Sequence, residues 1–255
     1  MLGSIYALIA LGYTMVYGIL RIINFAHGDI LMVGALTTLS GMHALNAHFP
    51  TLPPLAQLGL ALLLAMAVCA LLAMAVERFA YRRLRNAPRL APLISGIGVS
   101  VLLQTVAMIV WSRNPLMFPQ ILSMDAIAVT HGSAAHPPAL VTVTGIVTVA
   151  LAFAVMLGLW LLVEYTRLGR GMRAVAENPR IATLMGVNPN AIIALTFAIG
   201  GIFAALAGVM MASNYGNASF SMGFLPGIKA FTAAVLGGIG NIRGAMIGGL
   251  SLIHI

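Results

Sequence analysis

Charged residues are scarce in this 255-residue chain, where Asp, Glu, Lys and Arg together make up 7%. A soluble domain ordinarily carries about 25% charged residues, so the composition excludes an ordinary soluble protein. It excludes a disordered chain too, because the polar residues that keep a chain unfolded are lacking. Hydrophobic residues make up 61%, and the apolar runs reach about 20 residues, enough to cross ~30 Å of hydrocarbon. The sequence therefore predicts an all-α polytopic membrane protein; the shorter alternating segments of a membrane barrel do not occur.

Cysteine and clustered metal ligands are nearly absent. The single cysteine, Cys69, lies in an apolar run, so no disulfide can form within the chain and a buried, inert thiol is expected. His131 and His136 are close in sequence but lack a matching set of cysteines or carboxylates, so we predict no metal site there. No nucleophile, base and orienting group occur at a recognisable spacing, and we expect no catalytic residues.

Ionisable residues are also missing from the interiors of the apolar runs. Asp29 lies at the edge of one run, and the ammonium of Lys229, the only lysine, can extend outward from another. Proton-driven carriers and voltage sensors need ionisable groups within the membrane, so this absence argues against both. The sequence around Lys229 does not match a nucleotide-binding phosphate loop either. We therefore expect that the chain binds no cofactor and does not itself hydrolyse ATP.

Basic residues alternate along the chain in a way that predicts its topology. Eleven of them lie in the odd-numbered connections between apolar runs, against two, Arg113 and Lys229, in or beside the even-numbered ones. The positive-inside rule places the odd-numbered connections in the cytoplasm and the N-terminus outside. We interpret the arginine-rich stretch 78–89 as an anchor of this topology in the lipid bilayer, not as a nucleic-acid site. About seven spans are predicted, at residues 2–20, 28–45, 57–76, 91–111, 141–163, 191–212 and 228–240.

The cytoplasmic segment 164–190 carries strong local signals for a short helix. Asn178 can cap a helix and Pro179 suits its first position, whereas Gly186 suits the left-handed residue that ends it. These signals predict a helix from Pro179 to Met185. Ile181, Leu184 and Met185 would share one face, which either packs on the chain's own span ends or docks a cytoplasmic partner.

Here the sequence resembles a known family. Residues 174–177 (AVAE) followed by Gly186 are similar to the loop by which ABC-importer permeases engage their ATPase subunits. The whole chain resembles the LivH-type permease of branched-chain amino acid ABC importers. The matching passages are residues 12–18 (GYTMVYG), 23–29 (INFAHGD), 194–197 (ALTF) and 229–240 (KAFTAAVLGGIG).

The resemblance implies a single transmembrane permease domain over residues 1–255, in the inner membrane of a bacterium. It implies a second permease subunit, two cytoplasmic ATPases that use ATP, and a periplasmic substrate-binding protein that supplies branched-chain amino acids. Segment 164–190 becomes the ATPase-docking loop. Its expected contact residues are Ala174, Glu177, Arg180, Ile181, Leu184, Met185 and Gly186.

A polar break at residues 24–29 separates the first two apolar runs, and a weaker one lies at residues 240–244. Paired interruptions in the two halves of a transporter are a good indicator of its pathway. We therefore predict that Asn24, His27 and Asp29 form a polar gate or contact for a zwitterionic substrate. The alternative for Asp29 is a carboxylate that only stabilises the first turn of a helix.

Other functions stay open at this level. Permeases for urea, short amides or other amino acids look similar, and an ion-coupled carrier or channel without an ATPase is the alternative from another class. The family has about eight spans, with one after the glycine-rich segment, so we expect a chain that is truncated at both ends. The alternative to truncation at the C-terminal end is that the final run, residues 244–255, forms a re-entrant hairpin that ends the protein.

Overall fold

The computed structural model describes residues 2–85, 87–88, 90–121, 126–128 and 140–252, with backbone only for 126–128 and 140. His131 and His136 lie outside the described residues. Helices dominate the described chain in the order α1 Leu2–Leu20, α2 His27–His48, α3 Pro54–Val76, α4 Leu90–Val110, α5 Val143–Tyr165, α6 Arg167–Glu177, α7 Pro179–Leu184, α8 Pro189–Tyr215, α9 Phe224–Leu236 and α10 Ile242–Ser251. A π-helical turn, Glu77–Tyr81, and a 3₁₀ turn, Arg82–Leu84, extend α3.

Four very short strands accompany the helices. Strand β1 (Leu116–Met117) pairs antiparallel with β4 (Asn217–Ala218), and β2 (Ala126–Ala128) pairs with β3 (Leu140–Thr142). The first pair joins the chain after α4 to the chain after α8. The predicted all-α class is therefore confirmed, with small strand pairs in the connections.

Within the described ranges, six helices are long and apolar enough to cross a membrane, and they correspond to the first six predicted spans. The segment predicted as a seventh span forms α9, which has 13 residues. At 1.5 Å per residue α9 is about 20 Å long, shorter than the ~30 Å of hydrocarbon. It forms an antiparallel pair with α10, and close approach of Gly237 to Gly244 brings the two backbones into contact.

The core of the bundle is formed by α1, α2 and α8, whose small residues let the helices approach closely. A Cβ at Gly34 of α2 would lie 2.6 Å from Cα of Ala205 in α8, and one at Gly208 would overlap the carbonyl oxygen of Leu31. Such contacts are typical of helix association in membranes, where packing and not water exclusion drives assembly. Cys69 is fully buried beside them, as expected.

Helices α3, α4 and α5 surround this core and expose many large apolar side chains, as lipid-facing helices do. At the cytoplasmic end of α1 the chain turns sharply. Arg21 has φ +54°, the only positive φ of a non-glycine residue in the described chain, and its N–H donates to the carbonyl of Tyr17 at 2.8 Å.

Candidate functional site

Helix α2 begins inside the helix bundle and not at its cytoplasmic boundary. The His27 ring lies directly against Gly12, where a Cβ would overlap Nε2, and 3.7 Å from the Cβ position of Gly200. Gly12 precedes the end of α1 by eight residues, or about 12 Å of helix. A break between α1 and α2 is therefore present and lies deep among the helices, but it covers residues 21–26 and not 24–29, because residues 27–29 already belong to the first turn of α2. Asp29 is at the edge of its span in sequence, yet it is surrounded by protein.

Asn24 is buried and holds the break against the end of α3. Its Oδ1 accepts hydrogen bonds from the Tyr81 hydroxyl at 3.1 Å and from the backbone N–H of Ala26 at 3.2 Å. Tyr81 is fully buried and packs against Phe197 of α8. Through Tyr81, the Asn24 amide thus connects the start of α2 to the end of α3 and to Phe197 of α8.

His27 points in another direction, between α1 and α8. Its ring makes an edge contact with Tyr13, with centroids 4.8 Å apart, and its Nε2 has no hydrogen-bond partner among the described residues. The side chain is 1% exposed. The ring is therefore enclosed by Gly12, Tyr13 and the backbone of Ile9, all in α1.

Asp29 points toward α4. Its Oδ1 accepts a hydrogen bond of 2.9 Å from Nε2 of Gln104, which also donates to Ser100 at 3.3 Å. Oδ2 is buried and has no partner in the described part of the chain. Asp29 lies in the first turn of α2, as expected. A polar group in an apolar span requires a partner on a neighbouring helix, and for Gln104 this partner is Asp29.

The three predicted pathway residues share one short segment, but their side chains diverge. Asn24 contacts the end of α3, His27 lies between α1 and α8, and Asp29 contacts α4. They do not converge on a common contact point in this conformation. A polar gate made of all three stays a prediction that requires the helices to move.

The cytoplasmic segment folds as its local signals predict. Oδ1 of Asn178 accepts from the N–H groups of Arg180 and Ile181 at 3.0 and 3.2 Å, and Pro179 opens α7. Gly186 is left-handed, with φ +82°, which is a conformation that glycine adopts without steric cost. Asn188 caps α8 in the same way.

The apolar face of α7 is exposed. Ile181, Leu184 and Met185 are 57%, 86% and 80% exposed, whereas Ala182 is the residue that packs inward. The alternative in which this face packs on the chain's own span ends is therefore wrong. All of the predicted docking residues are exposed: Ala174, Glu177, Arg180, Ile181, Leu184, Met185 and Gly186.

Helix α6 holds this exposed segment on the bundle. Its Met172 and Val175 are buried, and the Arg173 guanidinium donates to the carbonyls of Val163 and Glu164 at the end of α5. These contacts fix the position of α7 relative to the spans.

A charged cluster that the sequence analysis treated only as part of a topology anchor lies nearby. Glu77, fully buried, pairs with Arg82 at 2.8 Å and with Arg85, and Arg85 also donates to Asn190 at the start of α8. Burial lowers the pKa of Arg85, while the Glu77 carboxylate acts in the opposite direction. The cluster joins the cytoplasmic ends of α3 and α8. The i, i+5 spacing of Glu77 and Arg82 does not bring side chains together on an α-helix, so no local sequence signal indicated this cluster.

Comparisons with known proteins agree with the resemblance. The sequence model of the family described as the permease component of the branched-chain amino acid transport system matches residues 1–254. The permease protein BraD of Pseudomonas aeruginosa, a high-affinity branched-chain amino acid transport protein, is 43% identical over 98% of this chain and 80% of its own length. The corresponding LivH proteins of Salmonella typhimurium and Escherichia coli are 43% and 40% identical over the same shares. No solved structure matches the chain.

Proposed function

Since the chain belongs to the family of branched-chain amino acid transport permease components, we propose that it is the membrane-spanning subunit of an ATP-driven importer of leucine, isoleucine and valine. It is a multi-pass protein of the bacterial inner membrane, with six candidate spans in the described residues. The observation that carries the proposal is the 43% identity to BraD over 98% of the chain.

The proposed partners are a second permease subunit, two cytoplasmic ATPases and a periplasmic substrate-binding protein. Segment 164–190 is the proposed contact with the ATPases, and α7 supports this role. The apolar face of this six-residue helix is exposed on the side that the charge pattern assigns to the cytoplasm, while buried residues of α6 hold the helix in place. Such a face is typical of a surface that a partner covers.

The proposed mechanism is alternating access. ATP binding brings the ATPases together, α7 follows them, and α6 passes the movement to α5 through the Arg173 contacts. The Glu77 cluster couples α3 to α8 at the same level. The spans then open toward one side of the membrane or the other.

Reconstitution of the complete importer in proteoliposomes tests the proposal. We expect that uptake of labelled leucine requires ATP and the loaded binding protein, and that isoleucine and valine compete whereas urea does not. A matched control omits only the ATPases and should show no accumulation. Competition by urea would contradict the assignment of branched-chain amino acids as the substrate. Accumulation driven by an ion gradient without ATPases would contradict the proposal of an ATP-driven importer.

A further inference from the structure

A cavity of about 380 Å³ lies on the side of the bundle that the charge pattern assigns to the periplasm. The early part of α1, the end of α8, the chain after β4 and the first turns of α9 form its walls. Its lining residues are Tyr6, Met211, Tyr215, Asn217, Ser219, Ser221, Met222, Leu225, Pro226 and Lys229. Its volume lies within the ~300–1,000 Å³ range of small-molecule sites.

Among the described residues of this lining, Lys229 is the one that carries a charge. Its Nζ lies 5.9 Å from the centre of the Tyr6 ring, a cation–π distance. The ammonium forms no ion pair or hydrogen bond with any residue that the structure describes. None of the described residues that line the cavity carries a carboxylate, so the cation is left available for an anionic group.

The remaining lining divides into a polar part and an apolar part. Ser219, Ser221 and Asn217 supply hydroxyl and amide groups, whereas Met211, Met222 and Leu225 are apolar. An α-amino acid with an aliphatic side chain has the same division: a carboxylate, an ammonium and a hydrocarbon branch. Methionine side chains adapt their shape to differing apolar groups, which suits a site that takes several such branches.

We propose that this cavity is the periplasmic entry subsite of the permease and that Lys229 binds the carboxylate of the incoming amino acid. The inference rests on the proposed function and names the residue that first holds its substrate within the membrane subunit. The hydroxyl and amide groups bind the substrate ammonium, and the methionines contact its side chain. Because Lys229 is exposed, solvent screens the ion pair and the substrate is held weakly enough to move on.

Charge-changing variants test the proposal in the reconstituted importer, with leucine uptake measured at saturating loaded binding protein. We expect that Lys229→Gln lowers uptake about fivefold, the loss of one solvent-screened charge contact, whereas Lys229→Arg stays within about twofold of the unaltered protein. Arg113→Gln is the matched control, because Arg113 is an exposed cation of another outer connection and does not line the cavity. It should transport normally.

A chemical rescue separates charge from packing. The one native thiol, Cys69, is buried, so a Lys229→Cys variant has a single reactive position. Reaction with aminoethyl methanethiosulfonate restores a primary ammonium there, and reaction with the sulfonatoethyl reagent installs an anion of similar size. We expect recovery of uptake with the first reagent and none with the second.

The outcomes distinguish this inference from the proposed function. Two results would contradict the carboxylate subsite without affecting the proposed function. In the first, the Lys229→Gln variant takes up leucine as fast as the unaltered importer; in the second, both reagents restore uptake of the Lys229→Cys variant equally. If the unaltered protein does not transport leucine with its ATPases, the proposed function fails first. An uptake loss in Lys229→Gln that only matches a loss of assembled protein also overturns the inference.

Discussion

The amide of Gln104 in α4 donates a 2.9 Å hydrogen bond to the buried carboxylate of Asp29 at the start of α2. This is the polar link between α4 and the region where α2 begins inside the bundle. Because the other carboxylate oxygen has no partner among the described residues, the link leaves Asp29 incompletely satisfied. Buried polar groups in this state are sensitive to the loss of a remaining partner.

Gln104→Leu should therefore destabilise the protein by about 1–3 kcal/mol, because the buried Asp29 carboxylate loses one of its two donors and keeps only Ser100. Thermal unfolding in detergent measures the effect. Thr105→Val is the neighbouring control, because this exposed hydroxyl donates only to the carbonyl of Val101 in its own helix. A loss of stability no larger than that of the control would show that the Asp29 contact contributes nothing.

Gly208→Ala should destabilise the bundle by roughly 1–3 kcal/mol, because the added methyl group would overlap the carbonyl oxygen of Leu31 and push α8 away from α2. Gly158→Ala in α5 is the control, since a Cβ there meets nothing within 4 Å. It should be neutral or stabilising by up to ~1 kcal/mol, as expected for alanine in a helix. Unfolding temperatures that fall equally for both variants would contradict close packing at Gly208.

Glu77→Gln should cost about 1–3 kcal/mol, because it removes the buried counter-charge of the Arg82 and Arg85 guanidiniums, which keep part of their contact with solvent. Glu164→Gln removes the carboxylate of a solvent-exposed pair, 3.5 Å from Arg173, and should change stability by less than ~1 kcal/mol. Thermal unfolding of the two variants compares the clusters directly. Equal, small effects would mean that Glu77 does not join α3 to α8.

Leu184→Asp and Gly186→Pro should abolish uptake and the stimulation of ATP hydrolysis by the loaded binding protein while membrane insertion is retained. A charge on the exposed face of α7 opposes an apolar partner, and proline cannot adopt the positive φ at position 186. Leu184→Met keeps the face apolar and should transport normally. Normal coupling of ATP hydrolysis to uptake in Leu184→Asp would rule out docking at α7.

Local patterns accounted for the parts of the fold that neighbouring residues determine. The six long helices follow from runs of apolar residues, and α7 follows from Asn178, Pro179 and Gly186 because capping acts over three or four residues. The exposure of Leu184 could not be derived in this way. It depends on whether the ends of other spans reach the helix, which the pattern left open.

Long-range contacts account for what sequence reasoning missed. A break between the first two helices was visible in the sequence, but its depth in the bundle depends on the glycines of α1 and α8, such as Gly12 and Gly200. The divergence of the side chains depends on partners distant in sequence, since Asn24 bonds to Tyr81 and Asp29 bonds to Gln104, which are 57 and 75 residues away. The walls of the cavity around Lys229 come from three helices, α1, α8 and α9, and from the connection after β4. Because these elements are far apart in sequence, the local pattern predicted only a lysine whose ammonium extends outward.

Arg21 has a further consequence for how this chain can be altered. Its left-handed backbone costs a non-glycine residue about 1 kcal/mol, so glycine would relax the turn after α1. Yet Arg21 is also the sole basic residue in the first connection, where a positive charge favours retention on the cytoplasmic side. Folding stability therefore favours glycine at position 21, whereas correct orientation in the membrane favours arginine there.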